Sequence, residues 1–300
     1  MIDFVKFRLS SDYYDDLLQN QNLEFRVVVT TSTGEISSKQ YAKFYNMKVE
    51  IWNTRRIIIS GSIHKYFNLI TNRFAPNQLS DSDKSKGFNG NQFSYSNICF
   101  SLSHLSISLS FDLSDTFLEN VEFGFNLKHN FYTTYILNGL IRHIGKPFTN
   151  NVPNYFQAEH SQYFVKIYDK AKQYELENEI LRFELKFVKM EKLNQRGIFC
   201  CKDLIDKSKI EELKKITFKA WNDVFIYDYT IDENKLNKND RMRVLKYKNK
   251  DFWNYELKFN QQHRDKIRLK QIISEFSLNI QLEITKLMEK NYLNLISCVA

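Results

Sequence analysis

The clearest pattern along the chain is the alternation of apolar and polar residues in short segments, which is typical of β-strands. The strongest alternation lies in Val121–Leu127, Tyr163–Tyr168 and Ile180–Val188. Weaker β-type segments precede them: Asp3–Leu9, Phe25–Thr30, Lys48–Trp52 and Arg56–Ser60. Most of the predicted strands therefore lie in the first two thirds of the chain.

Helical spacing of apolar residues dominates the last third, where it predicts helices over Lys209–Asp223 and Arg264–Lys290. Earlier in the chain, Ser11–Asn20 and Phe131–Arg142 also fit helices. Apolar and polar residues partly alternate over Tyr95–Phe111, although Ser103–Ser110 could also belong to a helix. Two stretches, 76–92 and Pro147–Asn154, are polar and aperiodic and predict loops.

These elements predict an α+β fold in two parts. Residues 1–194 are expected to form a catalytic domain built on an antiparallel β-sheet with flanking helices, interrupted by the long loop near 76–92. Residues 195–300 are expected to form a mainly helical accessory or DNA-binding part.

Charge and composition favour a polyanionic partner in a reducing compartment. The net charge is +8 and the pI about 9.1, and a basic protein gains free energy by releasing counterions from nucleic acid. Cys99, Cys200, Cys201 and Cys298 show no metal-binding or disulfide spacing and are expected to be free thiols. With no signal-like or membrane-spanning run, the protein is expected to be soluble and cytoplasmic.

When alternate residues of the three strongest strands are assigned to the two faces of a sheet, the charged residues fall on one face. One face of each strand is apolar, and the opposite faces carry Glu122, Gly124 and Asn126; Phe164, Lys166 and Tyr168; and Arg182, Glu184 and Lys186. A tyrosine beside carboxylates and cations suits phosphodiester transfer, and glutamate oxygens suit Mg²⁺ or Mn²⁺. The alternative is an ordinary exposed face held by cross-strand ion pairs.

At these residues the sequence resembles a known family. The segments YFVKIYDKAKQ and ILRFELKFVKMEKLNQRGI, with Asp203–Leu204, the opening MIDFVKFRL and ISGSIHKYF, look like replication initiators of the filamentous-phage gene II/X type, which are related to Rep-trans plasmid initiators. The resemblance spans residues 1 to about 205. It implies nicking of one strand at a rolling-circle origin, a 5′-phosphotyrosine intermediate and later rejoining of the displaced strand.

The resemblance also assigns residues. It places the nucleophile on Tyr168, an assisting lysine on Lys170, and metal-binding carboxylates on Glu184 and, less closely matched, Glu122. The Rep-trans pattern would make Asp169, the acid after the tyrosine, a metal ligand. It is kept as a secondary candidate, because strict alternation points it to the other face. Four cations near the tyrosine are candidate DNA-phosphate contacts: Lys166, Lys172, Arg182 and Lys186.

Partners and rival functions follow from what the sequence has and lacks. A nucleotide cofactor is not expected, since there is no GxxxxGK[ST] or GxGxxG motif; strand separation would need a host helicase, and copying a host polymerase. The His-hydrophobic-His metal motif of many nickases is also absent, and His160 is the histidine best placed to carry a proton. A relaxase-like mobilisation nickase and a non-catalytic origin-binding protein remain alternatives, as does a second working tyrosine.

Overall fold

Strands and helices are interspersed through the first three quarters of the chain, and helices form the rest. The computed structural model describes residues 1–256 and 259–297. The strands are β1 (Ile2–Leu9), β2 (Arg26–Val29), β3 (Ile36–Phe44), β4 (Met47–Trp52), β5 (Ile57–Ser62), β6 (Thr116–Lys128), β7 (Leu140–His143), β8 (Lys146–Pro147), β9 (Thr149–Val152), β10 (Tyr155–Glu159), β11 (Tyr163–Asp169), β12 (Ile180–Phe187) and β13 (Val224–Ile226).

The helices are α1 (Tyr14–Leu18), α2 (Ile63–Ile70), α3 (Asp81–Lys84), α4 (Tyr95–Leu109), α5 (Thr133–Gly139), α6 (Lys170–Tyr174), α7 (Glu191–Asn194), α8 (Lys207–Asn222), α9 (Lys238–Tyr247), α10 (Phe259–Phe276) and α11 (Ile280–Ser297). Side-chain caps fix several of their starts: Ser62, Ser94, Asp169 and Asp206 each accept a hydrogen bond from a backbone N–H of the following turn.

Ten of the described strands form one antiparallel sheet in the order β2-β3-β4-β5-β1-β6-β12-β11-β10-β9. The three strands with the strongest alternation, β6, β12 and β11, are adjacent near its middle, with Glu184 opposite Gly124 on one side and Lys166 on the other. A second, small sheet has the order β13-β7-β8. The expected α+β class, with an antiparallel sheet and a helical C-terminal region, is confirmed.

The main core lies against one face of the large sheet. Phe183 packs edge-on against Trp221 of α8 at 5.2 Å between ring centroids, and Phe125 packs against Phe218 at 6.0 Å. Ile284 and Met288 of α11 are buried in the same cluster. Since the apolar side chains of the central strands face these helices, their polar side chains face the other way.

A smaller core joins β7 and β13 to α9 and α10, with Ile141, Phe225, Tyr247, Trp253 and Leu269 buried in it. The main core contains residues from both sides of position 194. The division of the chain into 1–194 and 195–300 stays a prediction.

Several predicted elements differ from the structure. Tyr95–Leu109 is one helix, because Ile98, Leu102, Leu105 and Leu109 bury a single face of it. The predicted helix over 264–290 is two helices, α10 and α11, separated at Asn279, whose φ is 51°. The helix predicted over 131–142 ends at Gly139 and continues as β7, and the loop predicted over 147–154 contains β9.

Two expectations from composition can be compared with the described residues. Cys99, Cys200 and Cys201 are free thiols, with Cys201 fully buried, whereas Cys298 lies outside the described residues. Within residues 1–256 and 259–297, no helix has the length and apolar character needed to cross a membrane.

Candidate active site

A cleft of about 800 Å³ opens on the polar face of the large sheet. Its lining includes Asp3, Glu122, Lys166, Tyr168, Lys170 and Glu184, together with Asn46, Lys65, Lys86, Asn154, Tyr155 and Lys172. Strand alternation explains why the central residues share this face: Glu184 lies between Gly124 and Lys166, and Arg182 lies between Asn126 and Tyr168, in the cross-strand register.

Three carboxylates meet in this cleft. Oxygen atoms of Asp3, Glu122 and Glu184 all lie within 4.8 Å of one another, and all three residues are buried. The set offers only hard oxygen ligands, as Mg²⁺ and Mn²⁺ prefer. The residues present therefore fit a divalent cation.

The tyrosine lies against this group of acids. The Tyr168 hydroxyl donates a hydrogen bond to Glu184 Oε1 at 3.4 Å. Burial raises the pKa of Tyr168 well above its usual value, and the Glu184 carboxylate raises it further. The protein's own charges therefore favour the neutral phenol, and an additional cation would be needed to favour its anion.

Two buried cations neutralise the acids. The Lys166 ammonium donates to Glu122 at 3.0 Å and to Glu184 at 3.3 Å. The Arg182 guanidinium pairs with Asp3 at 3.0 Å and with Glu184 at 2.8 Å. Both residues were predicted to contact DNA phosphates, which stays a prediction; in the structure their charges pair with the carboxylates.

The acids respond differently to this arrangement. Burial raises the pKa of Glu122, and the neighbouring Glu184 carboxylate adds to the increase. Burial would also raise the pKa of Asp3 and Glu184, but the surrounding cations, with Arg182 the strongest of them, together outweigh it, and both pKa values lie below their usual range. Of the three carboxylates, Glu122 is thus the one whose pKa lies above its usual value.

Lys170 lies beside the tyrosine, but it is not fully protonated at neutral pH. Its ammonium is 5.3 Å from the centroid of the Tyr168 ring and donates to Gln173 at 3.0 Å. Burial, reinforced by Arg182, lowers the pKa of Lys170 to about 7. An entering phosphate would favour its protonated form.

The other predicted residues are distributed around the cleft. Lys172 is half exposed and lies 3.3 Å from the Asn154 side chain, and Lys186 pairs with Glu122 at 3.4 Å. Asp169 lines the cleft but caps α6, accepting from the Lys172 backbone N–H at 3.0 Å, and does not belong to the group of three acids.

His160 lies elsewhere in the described structure. Its ring stacks on Tyr163 and its Nε2 is 2.7 Å from Nδ1 of His143. Tyr163 belongs to the opposite face of β11 from Tyr168, so the geometry gives His160 no contact with the tyrosine hydroxyl.

Asp3 is the site residue that the sequence did not reveal. Strict alternation from Val5 and Phe7 assigns Asp3 to the apolar face of β1. The pairing of β1 with β6 shifts register between Ile2 and Val5, as at a β-bulge, and a bulge re-aims the side chains beside it. The only signal in the sequence is an acid at the start of a predicted strand.

Comparison with known proteins adds no identification: no protein-family model matches the chain, and no curated protein is significantly similar to it in sequence.

Proposed function

We propose that this chain is a metal-dependent enzyme that nicks and rejoins one strand of DNA, with Tyr168 as nucleophile, and that it initiates rolling-circle replication. The observation that carries the proposal is the hydrogen bond from the Tyr168 hydroxyl to Glu184, a member of the group of three carboxylates. A nucleophile and a set of oxygen ligands share one open cleft. The resemblance of the segments around Tyr168 and Glu184 to gene II/X initiators supplies the type of replication.

The proposed reaction exchanges one phosphodiester bond for another, so the free energy of the broken bond is kept in the phosphotyrosine. The Tyr168 oxygen attacks phosphorus and the bond to the 3′-oxygen breaks, leaving a 5′-phosphotyrosine and a 3′-hydroxyl that takes its proton from solvent. Glu184 Oε1 accepts the hydroxyl proton, because that oxygen is its hydrogen-bond partner. Attack by a 3′-hydroxyl on the phosphotyrosine reverses these steps and rejoins a strand without a nucleotide cofactor.

The remaining residues hold and orient the substrate. Asp3, Glu122 and Glu184 would hold Mg²⁺ or Mn²⁺, which stabilises negative charge on a reacting phosphate. Lys170 and Lys172 line the cleft and can contact phosphate oxygens. Arg182 keeps Asp3 and Glu184 ionised and in place. Such an enzyme would act on origin DNA in the cytoplasm of a bacterial host, together with host helicase and polymerase.

The experiment is a test for a covalent adduct. The protein is incubated with Mg²⁺ and single-stranded DNA that has a randomised central segment and a 3′-end label. A labelled band that survives denaturing electrophoresis is expected, since the 5′-phosphotyrosine joins the protein to the labelled fragment. Tyr168→Phe is expected to abolish the band, and EDTA to prevent it.

Tyr155→Phe is the matched control. Tyr155 lies opposite Tyr168 in the β10–β11 pairing and lines the same cleft, with its ring centroid 5.1 Å from that of Tyr168. The control variant is expected to keep the adduct. An adduct that persists in Tyr168→Phe, or its absence from the wild type with Mg²⁺ and with Mn²⁺, would refute the proposal.

One observation favours a second candidate, a non-catalytic DNA-binding protein. Lys166 lies within 3.3 Å of both Glu122 and Glu184, so the carboxylates can be read as a structural ion-pair network. That function predicts DNA binding without an adduct and without any effect of divalent cations on stability.

A further inference from the structure

Helix α9 presents two chemically different faces. Asp240, Val244 and Tyr247 are buried, at the spacing that places side chains on one side of a helix. The opposite face carries Met242 and Leu245, which are 56% and 55% exposed. Large apolar side chains this exposed on a short surface helix are not explained by the packing of α9 against the protein.

The buried face is held rigidly. The Asp240 carboxylate accepts from Arg268 Nε at 2.9 Å, from Arg243 Nη1 at 3.0 Å and from Asn237 Nδ2 at 2.7 Å. The Tyr247 hydroxyl donates to Asp265 at 2.6 Å. Since Arg268 and Asp265 belong to α10, these contacts fix how α9 is rotated and which side chains it turns outward.

Most cations around α9 are engaged with other groups of the protein. Lys235 pairs with an acid, Asp232, and Lys248 with Glu233, whereas Arg243 pairs with Asp240. Lys250 lies over the Phe156 ring. These four side chains are thus less available to a partner.

Three exposed cations on α9 remain: Lys238, Arg241 and Lys246. Among the acids whose side chains the structure describes, none forms an ion pair with these three, and Arg241 donates to the Leu236 carbonyl at 3.4 Å. At 100° per residue, Arg241 and Lys246 lie on opposite sides of the Met242–Leu245 stripe, and Lys238 extends that stripe by one turn toward the helix start. The outward face therefore has an apolar centre with a cation along each edge.

We propose that this face of α9 docks in the major groove of double-stranded DNA. The groove is about 12 Å wide and admits an α-helix, so cations on the two edges reach the phosphates on either side. Met242 and Leu245 then face the base edges, where thymine methyl groups offer apolar contact. The inference rests on the proposed function, because an enzyme that nicks at one origin first has to find it in a duplex.

Other partners fit this face less well. Single-stranded DNA is bound mainly by aromatic stacking, and the outward face of α9 has no aromatic residue. An anionic membrane surface also attracts a helix with an apolar centre and basic edges. Two exposed apolar side chains on ten residues, with the opposite side fixed to α10, give little area to insert into lipid.

The experiment measures binding of the full chain to a 24-base-pair duplex of randomised sequence by fluorescence anisotropy at several salt concentrations. The test variant is Lys238→Gln/Arg241→Gln/Lys246→Gln. Each phosphate contact contributes about 0.9 to the slope of log affinity against log salt, so the slope should fall by about 2 to 3. Affinity at low salt should fall by at least about tenfold.

The matched control is Lys202→Gln/Lys270→Gln/Lys290→Gln, which removes the same charge from exposed lysines elsewhere. It should change the slope by less than about 1. Met242→Gln keeps every charge and should weaken binding several-fold at an unchanged slope, which separates base-edge contact from loss of charge.

Three results would overturn the inference: no duplex binding by the wild type, equal losses in the test and control variants, or loss of binding to phosphatidylserine vesicles with duplex binding unchanged. Failure of the proposed function looks different. A wild type that binds duplex through α9 but forms no adduct with single-stranded DNA would refute nicking and retain the docking surface. The test variant should still form that adduct.

Discussion

Gly124 lies directly opposite Glu184 in the pairing of β6 with β12, and the two strands leave no room for a side chain at the glycine. A Cβ on Gly124 would lie 2.6 Å from the Glu184 Cα atom. The structure shows that the space is filled by the neighbouring strand, so the glycine sets the position of a carboxylate.

Gly124→Ala is therefore expected to destabilise the fold by about 1 to 3 kcal/mol, as overpacking of a well-packed site does. Because the strain falls on Glu184, adduct formation should decrease as well. Urea unfolding measures the first effect and the oligonucleotide assay the second. A variant as stable and as active as the wild type would show that β12 can shift away without consequence.

Among the cations of the site, Arg182 is the one whose replacement is expected to lower the free energy of unfolding most. Its side chain is 3% exposed and pairs with both Asp3 and Glu184. Arg182→Met leaves two buried carboxylates without their partner and should lower the free energy of unfolding by about 3 to 5 kcal/mol. Mg²⁺ should restore part of that loss.

Lys186→Met is the matched control for Arg182→Met, because Lys186 pairs with Glu122 but its side chain is 32% exposed. Solvent screening limits such a pair to at most about 1 kcal/mol. If the two variants lost the same free energy of unfolding, burial would not make the Arg182 ion pairs more important for stability than the exposed Lys186 pair.

Asp3 is expected to be required for the stabilisation of the fold by a divalent metal ion. If the three carboxylates hold one divalent ion, Mn²⁺ at about 100 times its dissociation constant should stabilise the wild type by about 2.7 kcal/mol. Asp3→Asn keeps the size of the side chain and should raise the half-saturating Mn²⁺ concentration at least about tenfold. Thermal unfolding across a Mn²⁺ titration measures both quantities.

Asp169→Asn is the control for the metal titration. Asp169 lines the same cleft and asparagine can still cap α6, so this variant should titrate like the wild type. If Asp169→Asn weakened Mn²⁺ binding strongly and Asp3→Asn did not, the metal site would lie at the end of β11. The resemblance to Rep-trans initiators also places a candidate metal ligand there.

The central part of the site could be predicted because alternation places its residues on one face of each strand and the family resemblance falls on the same residues. Large apolar residues on one face of β6, β11 and β12 indicate which side packs on the core, and Glu122, Tyr168 and Glu184 share the other side because the three strands are neighbours in one sheet. Relative positions across strands depend on register, which the sequence does not state.

Residues governed by irregular backbone or by pairing were beyond prediction. Asp3 joins the site next to a register shift in β1. Lys166 and Arg182 look like surface cations in the sequence, and only the register shows that Lys166 lies opposite Glu184. Strand β3 was missed because its polar, serine-containing segment forms a strand through pairing with its neighbours β2 and β4.

The Asp240 contacts predict a defined pH dependence of stability. The Arg268 guanidinium lowers the pKa of Asp240 to about 2, and Arg243 and Asn237 add to the effect. A carboxylate with a depressed pKa stabilises the folded state fully above its unfolded value of 3.8, and that contribution is lost as the pH falls from about 4 to about 2. Near neutral pH it amounts to about 2 kcal/mol.

Asp240→Asn should therefore lower the free energy of unfolding by about 2 kcal/mol at pH 7, and the difference from the wild type should narrow below pH 4. Urea titrations at pH 7, 5, 4 and 3.5 measure this. Asp232→Asn is the matched control, since Asp232 also caps a helical turn but is 40% exposed and should change stability by less than about 0.5 kcal/mol. A difference independent of pH would mean that Asp240 acts through shape and neutral hydrogen bonds, and that its charge does not hold α9 against α10.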